Sequence, residues 1–240
     1  MIALCSRPIA NQSKPDFDII SAIDELLGIA IDDGEVIIGA SERHATLARS
    51  ELLRENAPVL SKLAANIGDA QVRNRGTIGG SIASRNRSSD WKVALLGLDG
   101  SVHTTQNTYS AKDYIAQKDL SSGELVVKIS FNVPESATYQ KQSNLASTEA
   151  LVGVFVSKIK EGCRVTVICG SDTPFRVASA ETALETHFNS EVLEPRLVEA
   201  ATLPTDMHAG AEYRSSLIDV LTRRAVNDCI GNSSLHKGFS

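Results

Sequence analysis

Short apolar runs alternate with turn residues over positions 17–40, FDIISAIDELLGIAIDDGEVIIGA. Asp32, Asp33 and Gly34 separate GIAI from EVIIG, and two β-prone runs joined by an Asp-Gly turn predict a hairpin. From Ala45 to Ile67 the pattern becomes helical. Val59, Leu60, Leu63 and Ile67 fall on one face, and Pro58 suits the first turn of a second helix. A glycine-paired basic loop follows, and then the apolar helix WKVALLGL. The polar residues 101–124 read as a surface excursion. LVVKISFNVP, at 125–134, reads as a strand ended by Pro134.

Residues 135–144 are polar and mark the expected domain boundary. Beyond them ALVGVFVSKI and CRVTVICG predict two strands around a Lys-Glu-Gly turn. Helical segments are expected from near Ala178, Ser190 and Ala211. In the last, Tyr213, Leu217, Leu221 and Ala225 recur every fourth position and predict one apolar stripe. IGNSSLHKGFS, after Cys229, is expected to fray. A strand pair followed by helices is an α+β unit with its helices on one face. The expected organisation is thus a first domain over 1–136, a smaller α+β domain over 137–229, and a tail over 230–240.

Composition narrows the function classes. A hydrophobic share of 42% and a charged share of 22% are ordinary for a soluble globular protein. A net charge of −5 and only 5% aromatic residues argue against a nucleic-acid binder, which needs a basic face or stacking platforms. No apolar run approaches membrane-spanning length, and MIALCSRPIANQ lacks the layout of a secretory signal. Cys5, Cys163, Cys169 and Cys229 form no CxxC pair, which predicts buried thiols in a reducing, cytoplasmic setting and no zinc or iron–sulfur site in this chain. The five histidines show no ligand spacing, so no metal site is expected.

The least ordinary stretch is QVRNRGTIGGSIASRNRSSD, with Arg73, Arg75, Arg85 and Arg87 and no acid before Asp90. Adjacent glycines let a backbone approach a ligand closely, and successive N–H groups can cradle phosphate oxygens. Thr77 and Ser81 flank Gly79 and Gly80 and add hydroxyl donors. A pyrophosphate would be a natural guest, and a plain solvated turn is the alternative.

QVRNRGTIGGSIA, then Asp90, then ALLGLDG closely resembles the FAD-binding subunit of the molybdenum hydroxylases, the family of carbon monoxide dehydrogenase medium subunits and the xanthine dehydrogenase flavin domain. IIGASERHATLARS, GELVVKISFNVP, YQKQSNLASTEALVGVFVS, ICGSDTPFRVASAETAL and AEYRSSLIDVLTRRAV resemble further segments of it in order, from about Lys14 to Val226. The resemblance implies an FAD-binding domain of the PCMH type followed by a small C-terminal strand-plus-helices domain.

It also implies roles. Thr77, Ile78, Gly79, Gly80 and Ser81 would lie on the pyrophosphate side, with Ser81 where the family prefers Asn. Asp90 matches a flavin-contacting Asp, its alternative being an N-cap. Ile67 and Leu125 match apolar positions near the flavin or adenine rings and are equally good core residues. Lys141 matches a lysine near the flavin ring, its alternative being an unpaired surface lysine. His44 matches a family position at a helix start and reads as structural.

The implied activity is electron relay through FAD, with no catalytic side chain in this chain. Molybdopterin and [2Fe–2S] clusters would sit in a large and a small partner subunit, and NAD⁺ is one acceptor such a relay could serve.

The chain departs from the family in two places. MIALCSRPIANQS contains no glycine, whereas the family opens with a glycine-rich phosphate loop, so the first lobe is expected to be reduced. Arg85 and Arg87 stand where the family has small residues and a proline, and they could compensate on the phosphates or face an acidic partner. A flavin-free scaffold subunit is therefore the second reading.

Overall fold

Asp33 and Gly34 both adopt positive φ, 44° and 78°, as a two-residue hairpin turn between right-twisted strands requires. They join β1 (Ile29–Asp32) to β2 (Glu35–Gly39), as expected. The computed structural model describes residues 23–84, 89–117, 120–143, 150–169 and 173–236. Residues 1–22, with Cys5 and the start of the alternating apolar stretch, and the basic positions Arg85 and Arg87 lie outside the described residues.

β2 continues the first sheet to β5 (Val126–Asn132), which pairs on its far side with β3 (Ser101–Thr104). β4 (Thr108–Ser110) forms the edge, giving the antiparallel order β1-β2-β5-β3-β4. The polar stretch 101–124 is therefore no mere excursion. Its strand β3 buries Val102 alone, and polar neighbours hide it from an apolar-pattern reading.

Three helices replace the expected pair between Ala45 and Ile67: α1 (His44–Arg49), α2 (Glu51–Asn56) and α3 (Pro58–Ala65). Ser50 causes the first break. Its extended backbone ends α1, and its hydroxyl caps α2 by accepting from Leu53 N–H at 3.3 Å. Then follow α4 (Ala70–Arg75), α5 (Ile78–Ala83), α6 (Asp90–Gly97) and α7 (Ala111–Ala116).

The polar residues 135–144 form a strand, β6 (Ser136–Ser143), at the edge of a second antiparallel sheet with order β6-β7-β8-β9. β7 (Ala150–Ile159) and β8 (Gly162–Ile168) are the two expected strands, and β9 (Phe175–Arg176) is short. Val152, Val154 and Val156 of β7 join one hydrophobic cluster, and Phe155 and Ile159 join another, so both faces of this sheet are covered. That double burial explains the near-continuous apolar text of ALVGVFV.

α8 (Ala178–Thr186) and α9 (Ala211–His236) cover one face. Near Ser190 the chain makes only a single 3₁₀ turn, Ser190–Val192, in place of the expected helix. The buried stripe of α9 runs through Arg214, Ile218, Leu221, Ala225 and Cys229, while Tyr213 is 54% exposed and does not belong to it. The helix also continues past Cys229 to His236.

The other face of the second sheet receives α6. Trp91, Val93, Ala94, Leu95, Leu96 and Gly97 are all buried, because α6 lies between the second sheet and the core of the first. A Cβ on Gly97 would come 2.5 Å from a Phe155 ring carbon. Hydroxyls of Thr166 and Ser157 donate to the carbonyls of Val93 and Gly97 and fix α6 on the sheet. The start of α6 therefore sits where the two halves meet.

Candidate functional site

The glycine pair lies inside α5. Thr77 is its N-cap, and the Thr77 hydroxyl oxygen accepts from Gly80 N–H at 3.1 Å. Gly79 packs under the first sheet: a Cβ there would meet Ala40 Cβ at 2.6 Å and Ala40 O at 2.7 Å. Close approach does require glycine at this position, but the approach is to the protein's own backbone.

The same packing corrects the expected phosphate cradle of backbone amides. Ile78 N–H donates to Glu42 O at 3.0 Å and Gly79 N–H to Ala40 O at 2.9 Å. Gly80 N–H is held by the Thr77 side chain and Ser81 N–H by Thr77 O. All four amides are engaged internally. Ile78 itself is wholly buried and belongs to the core, so it offers a ligand no surface.

The hydroxyls remain. Thr77 and Ser81 are four residues apart and so share a face at the start of α5. Ser81 Oγ lies 3.1 Å from His44 Nε2. Trp91 Nε1, which can only donate, lies 3.3 Å from His44 Nδ1. Nδ1 is therefore the acceptor, and the neutral ring carries its proton on Nε2, which donates to Ser81 Oγ. Burial lowers the His44 pKa to about 4, so the ring is neutral at pH 7. Among the described residues no group takes the hydrogen of either the Thr77 or the Ser81 hydroxyl. Lys92, half-buried on α6 with its pKa lowered by burial, donates to Ser84 O at the end of α5.

Asp90 is the first residue of α6, and Ser89, not Asp90, occupies the N-cap. The Asp90 carboxylate is buried and accepts from the Tyr139 hydroxyl at 2.6 Å and from Lys141 Nζ at 2.8 Å. Lys141 also donates to Asn66 O at 3.3 Å, so it is no unpaired surface lysine. Of its three N–H donors, one has no partner among the described residues. Burial, and then the Asp90 charge, hold the Tyr139 phenol well above its usual pKa. Gly153 makes room for this hydroxyl, since a Cβ there would collide with it.

The structure thus brings Asp90 together with Lys141, and groups Thr77, Gly79, Gly80 and Ser81 on one short helix. Leu125 is half-buried before β5, where its backbone exchanges hydrogen bonds with Thr105. No hydrogen bond, ion pair or ring contact among the described residues ties it to the other candidates. Tyr139, Trp91 and His44 are the members that sequence reasoning did not assign to the site.

Residues 12–135 match the family described as the FAD binding domain in molybdopterin dehydrogenase. The chain belongs to that family. The alpha subunit of the 6-hydroxypseudooxynicotine dehydrogenase complex of Paenarthrobacter nicotinovorans is 31% identical, over 91% of this chain and 82% of that protein. The carbon monoxide dehydrogenase medium chain of Afipia carboxidovorans is 28% identical, over 85% of this chain and 77% of the relative. Among solved structures, carbon monoxide dehydrogenase from Hydrogenophaga pseudoflava aligns with a TM-score of 0.76 at 25% identity, over 87% of this chain and 79% of that one. Quinoline 2-oxidoreductase from Pseudomonas putida 86 gives 0.77 at 20% identity, over 89% of this chain and 81% of that one, and shares the fold.

The residues present fit the flavin family's cofactor. FAD carries a pyrophosphate, to which the free hydrogens of Thr77 and Ser81 offer donors. It also carries a polyol, for which an acceptor-only carboxylate such as Asp90 is a suitable partner. The fit differs from the one the glycines suggest, because side-chain hydroxyls take the place of backbone amides.

Proposed function

We propose that this chain is the FAD-carrying subunit of a molybdenum hydroxylase-type oxidoreductase, relaying electrons from iron–sulfur clusters to an acceptor. A large molybdopterin subunit and a small [2Fe–2S] subunit are its partners in this reading. The observation that carries it is the α5 face, where Thr77 and Ser81 keep their hydroxyl hydrogens while every amide behind them is engaged. A helix built only for packing has no need of a buried tryptophan–histidine pair fixing one of its hydroxyls.

The chemistry FAD supplies when bound is the exchange between one-electron and two-electron transfer. The chain's own residues bind and orient. Thr77 and Ser81 donate to phosphate oxygens. Asp90 accepts from polyol hydroxyls, its position fixed by Tyr139 and Lys141. Lys141 keeps one N–H and a positive charge at the meeting of the two halves. Gly79 and Gly80 form the seat of this helix, and Leu125 flanks the cofactor as an apolar contact.

No helix among the described residues is long and apolar enough to cross a membrane. The buried thiols Cys163 and Cys169 suit a cytoplasmic location, where thiols stay reduced. The test is FAD uptake by the purified chain, alone and with the subunits that accompany it. Flavin absorbance with near-stoichiometric cofactor released on denaturation is expected. A colourless protein that ignores added FAD in both forms favours the scaffold reading.

A further inference from the structure

His44 and Trp91 belong to no expected cofactor contact, yet the structure places both behind Ser81. His44 is buried, and Trp91, the single tryptophan of the chain, is wholly buried. Their rings stack with centroids 6.1 Å apart and planes at 26°. Gly76 gives the imidazole its room: a Cβ there would come 3.0 Å from both Nε2 and Cδ2. Gly76 O also accepts from His44 N–H at 3.1 Å, which pins the start of α1 to the approach to α5.

A serine hydroxyl beside a histidine can face either way. It can donate to a bare ring nitrogen, or accept from a protonated one. The indole N–H decides the matter here, because it must donate and Nδ1 is the atom it reaches. With Nδ1 accepting, Nε2 carries the hydrogen, and Ser81 Oγ becomes an acceptor toward the protein. Its own hydrogen then faces elsewhere. The Ser81 carbonyl is held as well, by the hydroxyls of Ser84 and Ser89, each at 3.1 Å. The backbone beneath the hydroxyl is therefore fixed.

We propose that His44 and Trp91 are positioning residues that set the direction of the Ser81 hydroxyl, so that it is a committed hydrogen-bond donor to a phosphate oxygen of FAD. This rests on the reading that the α5 face meets the FAD pyrophosphate. It goes further in assigning the polarity of one donor to a chain of three side chains, Trp91 to His44 to Ser81. Without the chain, Ser81 could turn its hydrogen onto the imidazole and present lone pairs to an anion.

The test combines ring nitrogen NMR of the cofactor-free chain with FAD titrations of variants. A ¹⁵N spectrum, with His44 identified by its loss in His44→Gln, should show Nε2 protonated and Nδ1 bare at neutral pH. Ser81→Ala and His44→Leu should each weaken FAD binding roughly tenfold, the usual worth of one hydrogen bond to a charged group. The double variant should be no worse than either single one, because both remove the same donor. His44→Gln, whose amide can still donate to Ser81, should stay within about twofold of wild type. Trp91→Phe keeps the aromatic bulk but frees the tautomer, and should lose affinity while folding normally; it stands in if His44→Leu does not fold.

Additive losses, a protonated Nδ1, or full affinity in both His44→Leu and Trp91→Phe would overturn the proposal while the wild-type chain still binds FAD. A wild-type chain that takes up no FAD would overturn the flavin reading instead, and the proposed ligand with it.

Discussion

His44 is neutral because burial lowers its pKa to about 4, and that has a consequence for the stability of the whole chain. In the unfolded chain a histidine titrates at about 6.5. Between these values the unfolded state holds a proton that the folded state does not, so stability rises with pH across this window. The contribution is fully present above about pH 6.5, declines as acid is added, and levels off below about pH 4. Its size is at most about 3–4 kcal/mol. Urea unfolding at about pH 7.5 and about pH 4.5 checks the sign: wild type should lose more stability on acidification than His44→Gln, which has no imidazole to charge. An equal loss in both would mean that His44 is not the group responsible. The link itself was not legible in the sequence. His44 and Trp91 are 47 positions apart, and no local pattern joins a histidine at a helix start to an indole in the next apolar helix.

At the level of elements, α5 shows how a motif can be visible while its cause is not. TIGGS is conspicuous in the sequence, but its adjacent glycines suggest amides turned towards a ligand, and those amides are engaged by Glu42, Ala40 and Thr77. Gly79→Ala should therefore destabilise the fold by about 1–3 kcal/mol through overpacking against Ala40, even though alanine favours helix over glycine. Denaturant unfolding measures it, and unchanged or increased stability would refute this account of Gly79. The hairpin at Asp33-Gly34 and the strands β5, β7 and β8 were legible because turn chemistry and apolar runs coincide there. β3 and β6 were not. β3 buries one side chain, and β6 is an edge strand whose residues are all polar or half-exposed. The break at Ser50 needs the hydroxyl cap on α2, a contact that helical spacing of apolar residues does not report.

Over the whole molecule, the two sheets are not independent blocks. They share α6, and one hydrophobic cluster runs from Val36 and Ile38 of β2 to Phe155 and Ile159 of β7. At the start of that helix Asp90 holds Tyr139 and Lys141 of β6, while Lys141 reaches back to Asn66 beyond α3. The residues expected to meet the flavin and those expected to meet its phosphates are thereby mounted on elements locked to one another. The order of segments was legible from resemblance over most of the chain, and the family match over residues 12–135 agrees with it. The Asp90–Lys141 pair was not legible as a pair, because 51 positions separate its members and only the stacking of the two sheets on α6 brings them together. In the proposed reading the FAD phosphates lie on the hydroxyl face of α5, and phosphorus NMR of FAD bound to the chain observes those phosphates themselves. Wild type should shift and broaden the pyrophosphate resonances, and Thr77→Val combined with Ser81→Ala should leave them close to those of free FAD at the same concentrations. Identical bound spectra for the two proteins would contradict it, and would place the phosphates elsewhere.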